Sequence, residues 1–317
     1  MQYVAKRTGM AILVAILVAT VLASVPRIIP GDAATSILQQ RATPELVAHV
    51  REEMDLDEPV PVQLANFLWN ASHGDLGRDY FSDRTVTSMI RYALPHTIAL
   101  ALSGLFLACL IGLPLGVLAA RKPSGFFSRI TGVLSVSFIT MPSYIAGLYL
   151  LILFAVIVPW FPAIATDSFS DPLDDVHHLV LPAFALALGW IGYLSRLVRA
   201  SMIETMQENH IRTGYAYGVP ERVIFYKHGL RNAIIPTVAV LGVGLGELLG
   251  GAVFVEVIFT RVGVGSLVID SIETRNYPVV QGSVLVIVLL FVFANLLADL
   301  SYRHLDPRIR IDESVSA

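Results

Sequence analysis

Residues able to do chemistry are few in this sequence, and most lie between Arg199 and Asn232. That interval reads RASMIETMQENHIRTGYAYGVPERVIFYKHGLRN and is the longest polar stretch in the second half of an otherwise apolar chain. Met202, Ile203, Met206 and Ile211 sit among Glu204, Gln207, Glu208, Asn209 and Arg212 in a mixed helical pattern, with too many charges to cross a bilayer. The chemistry open to it is adhesion, either to lipid headgroups as an amphipathic helix or to a soluble protein as a docking surface. Elsewhere Glu247 falls inside the apolar run 234–259, and Asn295 inside 279–300. A carboxylate at membrane depth either faces a water-filled path, where it can meet an amino group, or pairs with a neighbouring helix or subunit. Both readings stay open for Glu247. Asn295 reads first as an interhelical hydrogen-bond former and second as a candidate for the same path. His177 and His178 stand beside Asp167, Asp171, Asp174 and Asp175, but no second ligand set is spaced for zinc, so a solvated acidic loop is expected and no metal. The sequence holds no G-x-x-x-x-G-K-[ST] and no His-Glu-x-x-His, and no Ser/His/Asp arrangement stands out; no catalytic residue or cofactor is assigned to this chain.

The elements that must carry these residues are membrane helices. With 317 residues, 55% of them hydrophobic and only 15% charged, and a mean hydropathy of +0.68, the chain is too apolar for a soluble fold around one core. An all-α polytopic membrane protein is predicted. Its six transmembrane helices are expected over residues 10–25, 94–120, 126–161, 179–198, 234–259 and 279–300. Lys6 and Arg7 before the first run also fit a cleaved signal peptide, but a retained helix is favoured because the later chain spans the membrane itself. Gly112, Pro114 and Gly116 predict a kink in the second span, and Pro142 a bend in the long third one. Pro182 is expected to interrupt the fourth. Glycines 242, 244, 246, 250 and 251 let the fifth pack closely. The single cysteine, Cys109, excludes an internal disulfide.

Three divisions follow: residues 1–30 as N-terminal tail and first helix, 31–93 as an extracytoplasmic segment, and 94–317 as a core with an inward loop at 199–233. The segment between the first two helices is expected to fold, burying Leu56, Val62, Leu64, Phe67, Leu68 and Trp69, with Gly74-Asp75-Leu76-Gly77 making a turn. With the N-terminus in the cytoplasm, fourteen of the 22 Lys and Arg fall inside, which also places the C-terminus and the 199–233 loop there.

Within that loop the local geometry is legible. Gly218 supplies a left-handed stop, Val219 is pushed from helical geometry by the proline after it, Pro220 suits the first position of a new helix, and Glu221 favours that helix's positive end. The result is helix, sharp turn, helix. In the second arm Val219, Val223, Tyr226 and Leu230 form the expected apolar stripe. The turn favours docking over lying on lipid.

Tyr215-Ala216-Tyr217-Gly218, followed by Asn232-Ala233-Ile234-Ile235-Pro236, resembles the cytoplasmic loop of ABC importer permeases, in which an Ala and a Gly precede an aliphatic-Pro pair. The whole chain is similar to the dipeptide/oligopeptide (and nickel) permease family, specifically its first membrane subunit. Ile29-Pro30-Gly31-Asp32, Leu94-Pro95-His96-Thr97, Val262-Gly263-Val264-Gly265, Arg275-Asn276-Tyr277-Pro278 and Asp306-Pro307-Arg308 carry the likeness. Where the family usually has a charged residue around the Ala, this chain has Gly214-Tyr215 and Tyr217. The resemblance implies a type I ABC importer permease (MetI-like) fold in the bacterial cytoplasmic membrane, forming half of a translocation pathway for di- or oligopeptides. It implies a coupling surface at Arg212, Thr213, Gly214, Tyr215, Ala216, Tyr217, Gly218, Pro220 and Glu221. Its implied partners are a second homologous permease, two cytoplasmic ATPase subunits that bind ATP and Mg, an extracytoplasmic substrate-binding protein and the lipid bilayer, with no nucleic acid. Nickel or another small ligand is the alternative cargo. An ion-coupled secondary transporter is the rival mechanism, disfavoured because no internal repeat is visible and Glu247 is read as the one buried acid. A membrane scaffold is a third reading.

Overall fold

The computed structural model describes residues 9–10, 13–22, 24, 43–53, 58–163 and 172–305. The expectations for Lys6, Arg7, 29–32, Leu56, Asp167, Asp171 and 306–308 lie outside that set. Helices dominate, and among the described residues the only β pairing is the isolated bridge between Arg78 and Thr85. In chain order come α1 (Leu13–Leu22), α2 (Pro44–Glu53), α3 (Val60–Ser72), α4 (Val86–Arg121), α5 (Phe126–Thr140) and α6 (Ser143–Leu151), the last continuing as a π-helix over Ile152–Ile157. Then follow α7 (Pro172–Thr205), α8 (Asn209–Ala216), a composite arm of Glu221–Val223, Ile224–Gly229 and Leu230–Ala233, and finally α9 (Ile235–Ile258), α10 (Val264–Glu273) and α11 (Tyr277–Leu305). Four helices are long and apolar enough to cross a membrane, five if α5 and α6 count as one broken span. Six spans, the number expected, are compatible with this once the short apolar α1 is included.

The chain divides into two compact units, residues 1–98 with 260–292, and 99–259 with 293–317. In the first, motifs far apart in sequence meet. Gly74 and Gly77 take positive φ of 85° and 89°, and Asp75 accepts a bond from the Gly77 N–H at 3.0 Å, so the expected turn is present. Asp79, only 7% exposed, accepts the N–H groups of Phe81 and Ser82 at 3.1 and 3.2 Å, the Ser82 hydroxyl, and the Asn276 side-chain amide. Asn276 arrives there because α10 ends in a Schellman turn: Arg275 sits at φ 57°, its N–H bonds the Ile272 carbonyl, and the Asn276 N–H reaches back to Ser271. Thr97 accepts the Val264 N–H at 2.8 Å and so caps the start of α10. Asp79→Ala leaves two turn N–H groups and a buried amide without their acceptor, an expected loss of about 1–3 kcal/mol read as a lower melting temperature of the detergent-solubilised protein. Asp79→Asn, which keeps an acceptor oxygen, loses less.

Burial of the segment before α4 differs from expectation. Leu64, Phe67 and Leu68 are half-buried, but Val62 is 40% and Trp69 69% exposed, Trp69 meeting only the ring of His73 among the aromatic contacts of the described residues. The second span also starts earlier than expected, at Val86, and runs as one helix through Pro95 and Pro114.

In the second unit α7 is the central element. Pro182 does not interrupt it; the helix is continuous from Pro172 to Thr205 with Pro182 buried inside, and it takes in the sequence expected as the end of an acidic loop. Gly104, Ala108, Gly112 and Gly116 recur every four residues along α4 and face α7. A Cβ at Gly112 would stand 3.0 Å from the Ile191 carbonyl, and one at Gly116 2.6 Å from that of Ser195. These glycines therefore serve close helix contact, which the kink expectation did not capture. On the other side of α7, Ser135 of α5 and Ser195 share a buried hydroxyl bond of 2.7 Å. Arg199 bonds Ser128 at 2.8 Å and the Pro123 carbonyl at 3.2 Å, tying α7 to the start of α5.

The third span is not bent but broken. Met141 is extended (ψ 115°), as a pre-proline residue should be, Pro142 caps the restart, and α5 and the α6 segment diverge by 104°. Such a break is tolerable at membrane depth only where the freed backbone lines a cavity or protein. It does.

Candidate functional site

Two sites stand out: the polar bend after α7, and a cavity at the α5–α6 break. The bend begins with α8, whose Ile211 is 1% exposed while Arg212, Thr213, Tyr215 and Ala216 face outward. Gly214, one turn on from Ile211, shares the inner face; a Cβ there would lie 3.5 Å from Ile224 Cδ1. The helix closes in a complete Schellman motif. The Gly218 N–H bonds the Tyr215 carbonyl at 3.0 Å, the Val219 N–H bonds that of Gly214 at 3.1 Å, and Gly218 takes φ 72°. The left-handed stop is thus observed. Pro220 falls one position earlier than expected, as N-cap (φ −56°, ψ 137°), and Glu221 opens the second arm. Tyr217 projects from the turn, 84% exposed.

The second arm does not bury the stripe expected of it. Val223 and Tyr226 are 37% and 45% exposed, whereas Ile224, Phe225, Gly229 and Ala233 are buried. The cause is the π-helix over Ile224–Gly229, whose wider turn re-phases the side chains relative to a 3.6-residue period. What it buries is an anchor. Phe225 and Ala233 pack with Val117 and Ala120 of α4 and Val198 and Met202 of α7 in one apolar cluster, joined by Leu230 and Met206. A further clamp holds the bend's start to the arm's end: Asn232 donates to His210 Nε2 at 3.1 Å, and His210 Nδ1 lies 3.0 Å from the Glu208 carboxylate. An outward-facing helix and turn therefore stand on a rigid base at the ends of two membrane helices.

The cavity, about 740 Å³, opens where α5 and α6 diverge and is lined by both sides of that break together with α7 and α9. Glu247 lines it. Along α9, Gly244, Glu247, Gly251 and Phe254 follow one another at helical spacing on a single face, and Trp190 and Tyr193 of α7 and Tyr144 of α6 contribute the facing rings. Gly244 seats the Trp190 ring directly on the helix backbone, since a Cβ there would meet it at 2.7 Å. The close packing expected of the α9 glycines is realised at Gly244 and Gly251; Gly250 faces open space in the cavity wall. Asn295 is not among the lining residues, so the two path candidates are not brought together there. Glu256, a second acid of α9, is fully buried, where Glu247 is expected as the one acid of the span, and the rings come from three separate helices. Glu256 was visible in GAVFVEVIF; the rings carried no signal short of the fold. Among the described residues no group of three or more His, Cys, Asp or Glu is placed to hold a metal.

Comparison with known proteins adds the family. Residues 112–311 match the binding-protein-dependent transport system inner membrane component, and residues 1–101 match that system's N-terminal membrane-component domain. The chain belongs to this family. It is a membrane-spanning permease component of an ABC-type importer and an inner-membrane protein. A peptide transport system permease protein of Brucella abortus is 39% identical over 310 residues, 97% of this chain and 98% of that one. A glutathione transport system permease of Pectobacterium atrosepticum is 36% identical, covering 89% and 90%. A dipeptide transport system permease of Alkalihalophilus pseudofirmus is 32% identical, covering 98% and 99%. The permease fold is shared with an inward-facing structure of the MetNI methionine ABC transporter, at TM-score 0.56 and 20% identity, over 69% of this chain and 96% of that one.

Proposed function

We propose that this permease forms half of a peptide pathway and is moved by separate ATPase subunits gripping the bend from Arg212 to Glu221. The observation that carries the reading is the pairing of an exposed helix and turn with a buried root: Tyr215 and Tyr217 stand out in water while Phe225 and Ala233 are locked into α4 and α7. A surface meant only to rest on lipid would present its large aliphatic and aromatic anchors outward; here Ile211, Ile224 and Phe225 are turned into the protein. Closure of two ATPases on ATP and Mg pulls α8, and Ile211 and Ile224 pass the load to the arm and on to α7. Because α7 also carries Trp190 and Tyr193, the same helix moves the cavity wall, Trp190 lying about 18 Å along the axis from Met202. A second, homologous permease completes the pathway, a binding protein delivers cargo from outside, and both termini lie in the cytoplasm. Peptides as cargo are supported by the names of the relatives, which transport peptides, dipeptides and glutathione.

The test uses Tyr217→Cys in a Cys109→Ala background, the native protein having that single thiol. In membranes carrying the assembled transporter, a short bifunctional thiol reagent is expected to join this position to an ATPase subunit, with yield that changes when a non-hydrolysable ATP analogue is added. Labelling from the extracytoplasmic side, or cross-linking to lipid alone, would overturn the reading.

A further inference from the structure

The cavity's chemistry goes a step further than transport in general. Among the described residues its lining has one carboxylate, Glu247, four aromatic rings, Tyr144, Trp190, Tyr193 and Phe254, and no Lys, Arg or His. The rings stand in two pairs, Trp190 edge-on to Tyr193 with centroids 5.2 Å apart, and Tyr144 tilted against Phe254 at 6.0 Å. Glu247 follows Gly244 by three residues, one turn along the same face of α9, and it is at Gly244 that the Trp190 ring is seated, so the carboxylate and the ring share one wall. A carboxylate on the wall of an open, aromatic-lined cavity, exposed to whatever enters and with no basic side chain among the described lining residues, is complementary to a small cation: the carboxylate supplies the counter-charge and the ring faces supply cation–π attraction. Anionic chelates would meet repulsion there.

The geometry points to Glu247 and these rings as a subsite for the primary ammonium of the cargo, which in a peptide is the amino terminus or a lysine side chain. The inference rests on the peptide reading given above. It gives the pathway a chemical preference of its own, independent of the binding protein. Glu247 sits on α9 and Trp190 on α7, the helix rooted to the docking bend, so movement of the bend separates carboxylate from ring and releases the ammonium.

The complex, without its binding protein, is placed in lipid nanodiscs, and the Trp190 fluorescence is isolated as the difference from a Trp190→Phe complex. It is titrated with tri-alanine amide, N-acetyl-tri-alanine amide and N-acetyl-Ala-Lys-Ala amide. A saturable change with the first is expected, with half-saturation raised about tenfold in Glu247→Gln and restored by Glu247→Asp, the loss of one charge-assisted contact. The acetylated tri-alanine is expected to respond weakly and equally in both proteins. The lysine peptide assigns the site to any ammonium if it behaves like the first probe, and to the amino terminus if it behaves like the second. Equal half-saturation for charged and neutral probes, no saturable change, or no effect of Glu247→Gln overturns the subsite. Uptake of tri-alanine into proteoliposomes by the full complex with its binding protein is scored separately: absent uptake overturns the peptide reading, whereas uptake with an unaltered Glu247→Gln titration overturns the ammonium site alone.

Discussion

Gly218→Val is expected to cut transport per ATP hydrolysed by roughly tenfold or more while leaving the protein folded and in the membrane. Gly218 lies at φ 72°, and nothing stands within 4 Å of where its Cβ would go, so the effect of a side chain is conformational and not steric against neighbours. For an ordinary residue the left-handed region costs about 1–2 kcal/mol, and a β-branched residue is a genuine outlier there. Valine relieves that cost by returning to negative φ. The two bonds that close α8, from Gly218 to Tyr215 and from Val219 to Gly214, are then lost together. The direction in which the arm leaves the turn changes, and the outward helix no longer sits over Ile224. The root in α4 and α7 does not involve Gly218, so expression and melting temperature are expected to hold. Gly218→Asn separates the explanations, because Asn tolerates the left-handed region and is expected to keep most coupling. The measurement is cargo uptake and phosphate release in proteoliposomes containing the complete complex. Full coupling in the valine variant would remove the bend from the force path.

What could be read from the chain alone follows the range of the interactions concerned. Gly218 was legible because one residue and its proline neighbour decide a turn, and Pro142 was legible as the position of an interruption for the same reason. The size of that interruption was not, since 104° is reached only because the freed backbone has a cavity to line. The phase of the second arm was misread because a π-helix is chosen by packing, here Phe225 and Ala233 entering the cluster with Val198 and Met202, and not by local periodicity. Gly112 and Gly116 show a related ambiguity. In sequence a glycine beside a proline reads as a kink; in the fold each is a point where a neighbouring carbonyl needs room. Glu247 was legible as an acid inside an apolar span, but its surroundings were hidden, because Tyr144, Trp190 and Phe254 are more than forty residues apart and meet only through tertiary structure.

That same kind of tertiary contact gives Gly192→Val a large expected structural effect. A Cβ at Gly192 would stand 2.6 Å from the Ser135 carbonyl oxygen, 3.1 Å from Phe138 Cβ and 3.2 Å from Ile139 Cγ1. The nearest obstacle is backbone, which no change of rotamer can clear, so α5 and α7 must move apart. Separation would break the buried Ser135–Ser195 bond and pull Ile139 away from Tyr193, both of them in the cavity wall. Overpacking of a tight core costs about 1–3 kcal/mol where side chains can give way, and this site, having backbone on one side, belongs at the upper end. Gly192→Val is expected to lower the melting temperature in detergent and the recovered monodisperse protein several-fold, with Gly192→Ala intermediate. Gly132, on the exposed side of α5 with nothing within 4 Å of its would-be Cβ, supplies the control, and Gly132→Ala is expected to be neutral or slightly stabilising. If Gly192→Val and Gly132→Ala melt alike, the α5–α7 contact is not what holds this side of the cavity wall in place.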